Sequence, residues 1–322
     1  MRIRPLAALS VAAMSALLLA GCAGSAEPDA TPSPSSTAAS DCGLDPQAGA
    51  DSDAVTVSGT APELTAEVPT DLAFADLQRT VATAGDGDEL AVGQLVSGQY
   101  QVIDPATGEI QLDSATTAPD ESGLVPLIVD ASSIIGSAVL CTPLGSSTAF
   151  TIPGSMLGDG ATNVVVVAQS VDELPTVATG EDQDPVAGMP EVELAGDGTP
   201  TVTIPDEEPP TEVQIADLKL GDGATVESGD TVFVQYLGIK WSDGSEFDSS
   251  WSRGAPAQFQ TTGVVQGFQQ ALEGQAVGSQ VLVVIPPAAG YGEGEINDAD
   301  LKGETLVFVI DILGVQRAAA QQ

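Results

Sequence analysis

Residues 246–254 read EFDSSWSRG, which crowds Phe247, Asp248, Trp251 and Arg253 into one short loop. Side chains of these types can build an aromatic wall and brace it with an ion pair. They do not amount to an activated nucleophile, because the 322-residue chain contains no histidine, the usual general base of Ser and Cys hydrolases and a common transition-metal ligand. Hydrolysis and zinc chemistry are poor readings for that reason, and neither a metal nor a cofactor is expected. With 46 acidic against 8 basic side chains and a formal charge of −38, the chain also lacks the clustered Lys and Arg that hold phosphate backbones, so nucleic acid is not an expected partner. The GDGDE run at 85–89 has oxygen ligands without the spacing or terminal Glu of a calcium loop, and reads as a solvated turn.

The elements that must position the loop are short and strand-rich. TVFVQYLG places Val232, Val234 and Tyr236 on one face at the period of a half-buried strand, and QVLVVIPP and TLVFVIDIL are β-branched runs. Over VVQGFQQALEG, Val265, Phe268, Ala271 and Leu272 recur at helical spacing, and Gly274 is placed to end that helix. An antiparallel sheet with one helix packed on it is an α+β arrangement. Internal similarity adds a second level. GDGDELAVGQLVSGQY (85–100) aligns without gaps to GDGATVESGDTVFVQY (221–236), and four further blocks follow in the same order, ending with NVVVVAQSV (163–171) against TLVFVIDIL (305–313). The chain is expected to hold two copies of one fold, at 42–178 and 190–316, joined by an acidic, proline-bearing linker at 179–189 and followed by a tail at 317–322. Nine of the twelve aromatic residues lie between 233 and 308. Two copies that used rings only for packing would carry them about equally, so the imbalance points to a site in the second copy alone.

VQYLG, GSEFDSSWSRG, VVQGFQQALEGQAVGS, IPPAAGYG and TLVFVIDIL, in that order and spacing, resemble the FKBP-type peptidyl-prolyl cis-trans isomerases, the macrolide-binding immunophilins. The resemblance covers about 190–316 and is weaker over 50–175. It implies two FKBP-like domains, each a curved antiparallel sheet wrapped on a short helix, with an apolar pocket in the second. Carried over by position, Tyr236, Phe247 and Phe308 would form the pocket wall, Phe268 its floor, and Val264, Val265 and Tyr291 its rim. Asp248 would pair with Arg253 to fix the wall, or serve only as a turn former in FDSS. Phe268 stands where many relatives have tryptophan. After Tyr291 the segment lacks the family's common Ile-Pro-Pro, leaving Ile296 and Leu301 as candidates to cover the pocket. Phe233 and Phe259 are expected in plain core packing. In the first copy Tyr100 and Asp113 persist, Leu112 replaces the wall phenylalanine, Ile135 the floor and Val166 the second wall. Nothing aromatic stands near Leu157 to match Tyr291, so this copy is expected to be degenerate and non-catalytic.

The chemistry asked of such a pocket follows from the amide. Rotation about an X-Pro bond crosses roughly 18–20 kcal/mol because resonance holds the peptide planar. At the twisted transition state that resonance is lost and the carbonyl is less dipolar. A dry aromatic pocket therefore favours the twisted form over the planar one, without any covalent step. The Tyr291 hydroxyl and the Val265 backbone amide are the expected donors to the substrate. The competing reading is a non-catalytic module that binds proline-containing peptides or acts as a chaperone.

The amino terminus places this activity. Arg2 and Arg4 precede an apolar run from Leu6 to Ala20, and Leu19-Ala20-Gly21-Cys22 closes it, the pattern of a bacterial lipoprotein signal peptide (1–21). The run is under the ~20 apolar residues a spanning helix needs. Acylation of Cys22 would hold the protein on the outer, extracytoplasmic face of the cell membrane through a small, polar, proline-bearing tether at 22–41. Proline-containing exported proteins are the expected partners, with macrolides as implied ligands. In that oxidising compartment Cys42 and Cys141 are expected to pair, the alternative being two separately buried thiols.

Overall fold

The computed structural model describes residues 46–70, 72–296 and 301–319. The expected signal peptide, Cys22, the tether and Cys42 lie outside the described residues. The first half opens with α1 (Ala50–Asp53) and a hairpin of β1 (Thr56–Ser58) and β2 (Thr65–Glu67). Then follow β3 (Gln78–Thr83), β4 (Leu95–Ile103), β5 (Ile110–Asp113), β6 (Val125–Ile128), α2 (Ile134–Val139), β7 (Ser147–Ile152), α3 (Gly154–Leu157) and β8 (Val164–Leu174). The second half runs through β9 (Glu181–Asp182), a hairpin of β10 (Glu191–Leu194) and β11 (Pro200–Thr203), β12 (Gln214–Leu220), β13 (Thr231–Lys240), β14 (Glu246–Ser249), α4 (Ser250–Arg253), β15 (Ala257–Gln260), α5 (Gln266–Leu272), β16 (Gln280–Ile285) and β17 (Leu306–Gln316).

The first sheet has the order β3-β7-β8-β4-β5, with β6 on β4; the second has β14-β13-β17-β16-β12-β9, with β15 on β13. Apart from β9, the two orders are the same when each strand is matched to its counterpart. Backbone bonds repeat at the same places: Gly87 N–H donates to Leu144 O at 3.1 Å as Gly223 N–H does to Val277 O at 3.1 Å. No helix among the described residues is long and apolar enough to cross a membrane.

On β13, Val232, Val234 and Tyr236 face α5 and pack with Phe268, Ala271 and Leu272, as the alternation predicts. The opposite face is buried too, which alternation alone does not foresee. Leu237, Ile239 and Trp241 pack with Met189, and Val192 and Val202 of the β10–β11 hairpin and Trp251 close over them. Phe233 joins Leu95 and Leu313 in a cluster shared by the two halves. Trp251 thus belongs to the outer face of the sheet, although it sits in the loop that supplies Phe247 and Asp248. The β1–β2 hairpin covers the outer face of the first sheet in the same manner, through Val57, Ala66 and Leu64 over Ile103, Val165 and Val167.

Helix α5 lies close on the sheet because Gly267 has no side chain: a Cβ there would stand 2.4 Å from Ile285 Cγ2. Gly274, at φ +91°, ends it as expected. The corresponding turn of the first half is made by Cys141 at φ +56°, the one non-glycine with positive φ among the described residues.

The segment expected as a linker is strapped to the second sheet. Gly180 N–H donates to Gly278 O at 2.9 Å, and β9 pairs with β12. Just before it, Ala178 N–H donates to the buried Asp311 carboxylate at 2.8 Å, and Gln280 Nε2 donates to the other oxygen at 2.6 Å. The start of the expected tail is also tied: Arg317 Nη1 donates to Asp230 at 2.6 Å, and Arg317 N–H to Thr117 O at 2.7 Å.

Burial raises the pKa of Asp311, against the opposing hydrogen bonds. A carboxyl whose folded pKa is raised contributes stability that is present below its unfolded pKa and is lost as pH climbs through the folded one. In urea titrations across the carboxylate range, wild type is expected to lose stability with rising pH relative to Asp311→Asn, in which that titration is gone. Parallel curves for the two proteins would contradict this.

Candidate functional site

The second sheet and α5 enclose a hollow of about 300 Å³ lined by Tyr236, Phe247, Asp248, Phe259, Gly263, Val264, Val265, Phe268, Tyr291 and Phe308. All eight residues carried over from the sequence as pocket residues therefore lie around one cavity. Tyr236 comes from β13 and Phe308 from β17, strands paired so that Gly238 stands opposite Phe308. Phe268 rises from α5, and Val265 is the residue that caps that helix at its amino end.

Phe247 and Asp248 are sequence neighbours, and a regular strand would send them to opposite faces. A bulge resolves the conflict. Gly238 pairs with Asp248 and Ile239 with Glu246, leaving Phe247 as the extra residue, turned into the hollow. Gly238 makes room for this: a Cβ there would lie 2.8 Å from both Phe247 Cζ and Phe308 Cε1. Ser250 fixes the turn that follows. Its buried hydroxyl accepts from Tyr236 N–H at 2.7 Å and donates to the Gln235 side-chain carbonyl. Ser249 caps α4 by accepting from Ser252 N–H at 3.2 Å, and Gly254, at φ +75°, closes it so that Arg253 turns back towards Tyr236.

The rings meet edge-on, the favoured arrangement of their quadrupoles. Phe268 and Phe308 have centroids 4.9 Å apart at 80°, and Phe247 and Phe308 5.4 Å apart at 84°. Phe259 touches Tyr236 at 5.5 Å and Phe268 at 5.7 Å. The polar rim is closed on itself. Tyr236 Oη donates to Asp248 Oδ2 at 2.5 Å and accepts from Arg253 Nη2 at 2.7 Å, while Arg253 Nη1 pairs with Asp248 Oδ1. The guanidinium also lies 5.3 Å from the centre of the Tyr236 ring. Burial, with the Asp248 hydrogen bond adding to it, pushes the Tyr236 phenol up to about 12, so it stays a neutral donor.

A model of the FKBP-type peptidyl-prolyl cis-trans isomerases matches residues 223–313, the stretch that carries this hollow. The chain is 40% identical over 119 residues to an FK506-binding protein of Streptomyces anulatus, covering 36% of this chain and 96% of that protein. The chain belongs to the FKBP-type peptidyl-prolyl cis-trans isomerases. A probable FK506-binding protein of Corynebacterium glutamicum is 40% identical over 114 residues, covering 35% of this chain and 96% of its own length. The isomerase FkpA of Escherichia coli K12 is 36% identical over 101 residues, covering 31% of this chain and 37% of that protein.

Several residues of this isomerase depart from the sequence reading. Phe259, expected in the core, lines the hollow, because β15 turns Ala257 and Phe259 inward while Gln258 and Gln260 face out. Its companion Phe233 is core, at the junction of the halves. Ile296 is exposed, and Leu301 packs against the core; neither lines the hollow. In the first half the register differs from the expected one: Val102 pairs with Leu112 as Gly238 pairs with Asp248, so Leu112 takes the place of Asp248 and Gln111 that of Phe247. Asp113 stands where Ser249 does and caps the next turn, accepting from Ala115 N–H at 3.1 Å. Gly238 and Ser250 were not singled out; a glycine inside an otherwise apolar strand was the available signal for the first.

Two expectations follow. Gly238→Ala drives a methyl into Phe247 and Phe308, so it should narrow the hollow and slow isomerisation by about ten-fold or more, at a stability cost of roughly 1–3 kcal/mol; exchange spectroscopy and denaturation measure both. A raised phenol pKa contributes stability that is fully present below pH 10.0 and lost as pH rises through about 12. Alkaline denaturation should show that loss in wild type and a smaller one in Tyr236→Phe.

Proposed function

We propose that the aromatic hollow of the second half seats the proline ring of an X-Pro bond and lowers the barrier to its rotation. Phe247, Phe308 and Tyr236 act as wall, Phe268 as floor, with Val264, Val265 and Tyr291 at the mouth and Phe259 closing the far side. The observation that carries this is the closed Tyr236–Asp248–Arg253 network. Asp248 takes its hydrogen bonds from Tyr236 and Arg253 at the edge of the hollow, which leaves aromatic and aliphatic surface for the substrate. A carbonyl that loses dipole as it twists is favoured there over the planar amide. Tyr291 is half-exposed and its hydroxyl can reach a bound carbonyl; the Val265 amide can hold the residue beside the proline. Lowering the barrier by about 5–7 kcal/mol would speed exchange by roughly four to five orders of magnitude.

The first half we read as a second copy of the same fold that has lost the chemistry. The shared strand order and the repeated backbone bonds support that reading. Val166 stands at the register position of Phe308, and the ring has moved to the neighbouring strand, where Phe150 replaces Val283. The lipid on Cys22, the Cys42–Cys141 disulfide and a place on the outer face of the membrane form the rest of the proposal. A relative named outer membrane protein MIP, from Legionella longbeachae, is consistent with an extracytoplasmic setting. Exported proteins with exposed X-Pro bonds would then be the substrates. The FK506-binding names of the relatives support macrolides as competing ligands of the hollow.

Exchange spectroscopy on a short X-Pro peptide with catalytic amounts of the full chain tests the reading. Wild type should accelerate exchange, Phe308→Val should slow it by about ten-fold or more, and Tyr100→Phe should leave it within about two-fold. A folded wild type without acceleration would instead favour a binding or chaperone module, and equal losses in the two variants would contradict the placing of the site.

A further inference from the structure

A second hollow, of about 710 Å³, opens between the two halves. Its first wall includes Tyr100, Leu112, Leu127 and Ile135. By strand register and helix position these stand where the second half has Tyr236, Asp248, Phe259 and Phe268. The hollow of the first half has therefore not been filled. Of these four only Tyr100 keeps a ring, and together with the cleft between the halves the space is more than twice the volume of the aromatic hollow. The facing wall is Ala257, Gln258 and Gln260 of β15 together with residues 316–319.

Three features define what would fit. The lining carries one acidic and one basic side chain, Asp130 and Arg317, in a chain of net charge −38. Its Asp130 already accepts from the N–H groups of Ser132 and Ser133 at 2.7 and 2.6 Å, and its Arg317 is paired with Asp230 and Glu227. Both β6 and β15 border the cleft, and among the described residues each pairs with one strand only, β4 or β13, leaving its other backbone edge unclaimed by the sheet. Apolar surface, including Ile134 at 38% exposed, lines the cleft together with the side-chain amides of Gln258 and Gln260. An extended backbone meets these conditions, with amides to satisfy along an edge strand and small uncharged side chains for the walls. A pyrrolidine alone would leave most of the volume empty.

We propose that this cleft is a second, non-catalytic binding site for an extended, uncharged segment of unfolded polypeptide. The proposal rests on reading the first half as a copy of the isomerase fold that lost most of its aromatic lining. Binding here would hold a client on the protein while its proline bonds visit the aromatic hollow, raising their local concentration.

The test uses the full chain and a fluorescein-labelled, proline-free peptide of about eight alternating Val, Ser, Thr and Gln residues, a length that spans an edge strand. Saturable binding is expected. Ile134→Glu on one wall and Gln258→Trp on the other should each weaken it by about ten-fold while leaving X-Pro exchange within about two-fold. Phe308→Val should slow exchange and leave the peptide affinity unchanged. Two cleft variants on different halves guard against one of them simply unfolding, which melting curves report. Absence of saturable binding to wild type overturns the inference. So does binding lost in Phe308→Val but kept in both cleft variants, which would put the peptide in the aromatic hollow. A dimer that Ile134→Glu dissolves, without peptide binding, would assign the cleft to a second copy and overturn it too. Failure of the isomerase reading has a separate signature: wild type would not accelerate X-Pro exchange, whatever the peptide does.

Discussion

The aromatic hollow depends on one local arrangement, the pairing of β13 with β17 and β14 about Gly238. That residue stands opposite Phe308 on one side and Asp248 on the other, and its missing side chain lets two phenyl rings close over the strand. The bulge at Phe247 then aims a ring and a carboxylate from adjacent positions to the same face. Once those are set, Tyr236 has Asp248 and Arg253 within hydrogen-bond reach, and Phe268 has a ring to pack against. Moving the bulge by one residue would reverse the faces of Phe247 and Asp248 and dissolve the network.

The two halves share a frame and differ in the side chains it carries. Both use the same strand order, a serine that accepts from the central tyrosine N–H (Ser114 at 2.9 Å, Ser250 at 2.7 Å), and a helix beneath the sheet. The frame is held by backbone bonds, which tolerate side-chain change. The first half exchanges Phe308's ring for Val166 and Phe247's for an exposed Gln111, and its tyrosine hydroxyl accepts from Gln316 Nε2 of the other half at 3.1 Å. Tyr236 is tied to Asp248 and Arg253 of its own half, whereas Tyr100 is tied across the junction.

The junction also explains burial that single-domain reasoning misses. Phe233 and Leu313 lie on the outer face of their sheet, yet Leu95 of the first half covers them. Pro126 reaches the second sheet at Gly314, where a Cβ would lie 2.5 Å from its ring. The outer faces elsewhere are covered by the β1–β2 and β10–β11 hairpins. A sheet with apolar residues on both faces must have both covered, and here a hairpin and a neighbouring half share the task.

Much of this was legible beforehand. The alternation of Val232, Val234 and Tyr236, the helical spacing of Phe268, Ala271 and Leu272, and the glycine that ends the helix are local properties, and each survives in the fold because short-range periodicity dictates which way a side chain points. What packs at that spot is a separate matter. Tertiary structure alone decided that Phe259 lines the hollow while Phe233 does not, that the bulge offsets Leu112 from its expected counterpart, and that the acidic stretch after Ala178 is strapped to a sheet. Direction along an element repeats every two or 3.6 residues, whereas the partner across a gap depends on chain returning from far away, with bulges shifting the count.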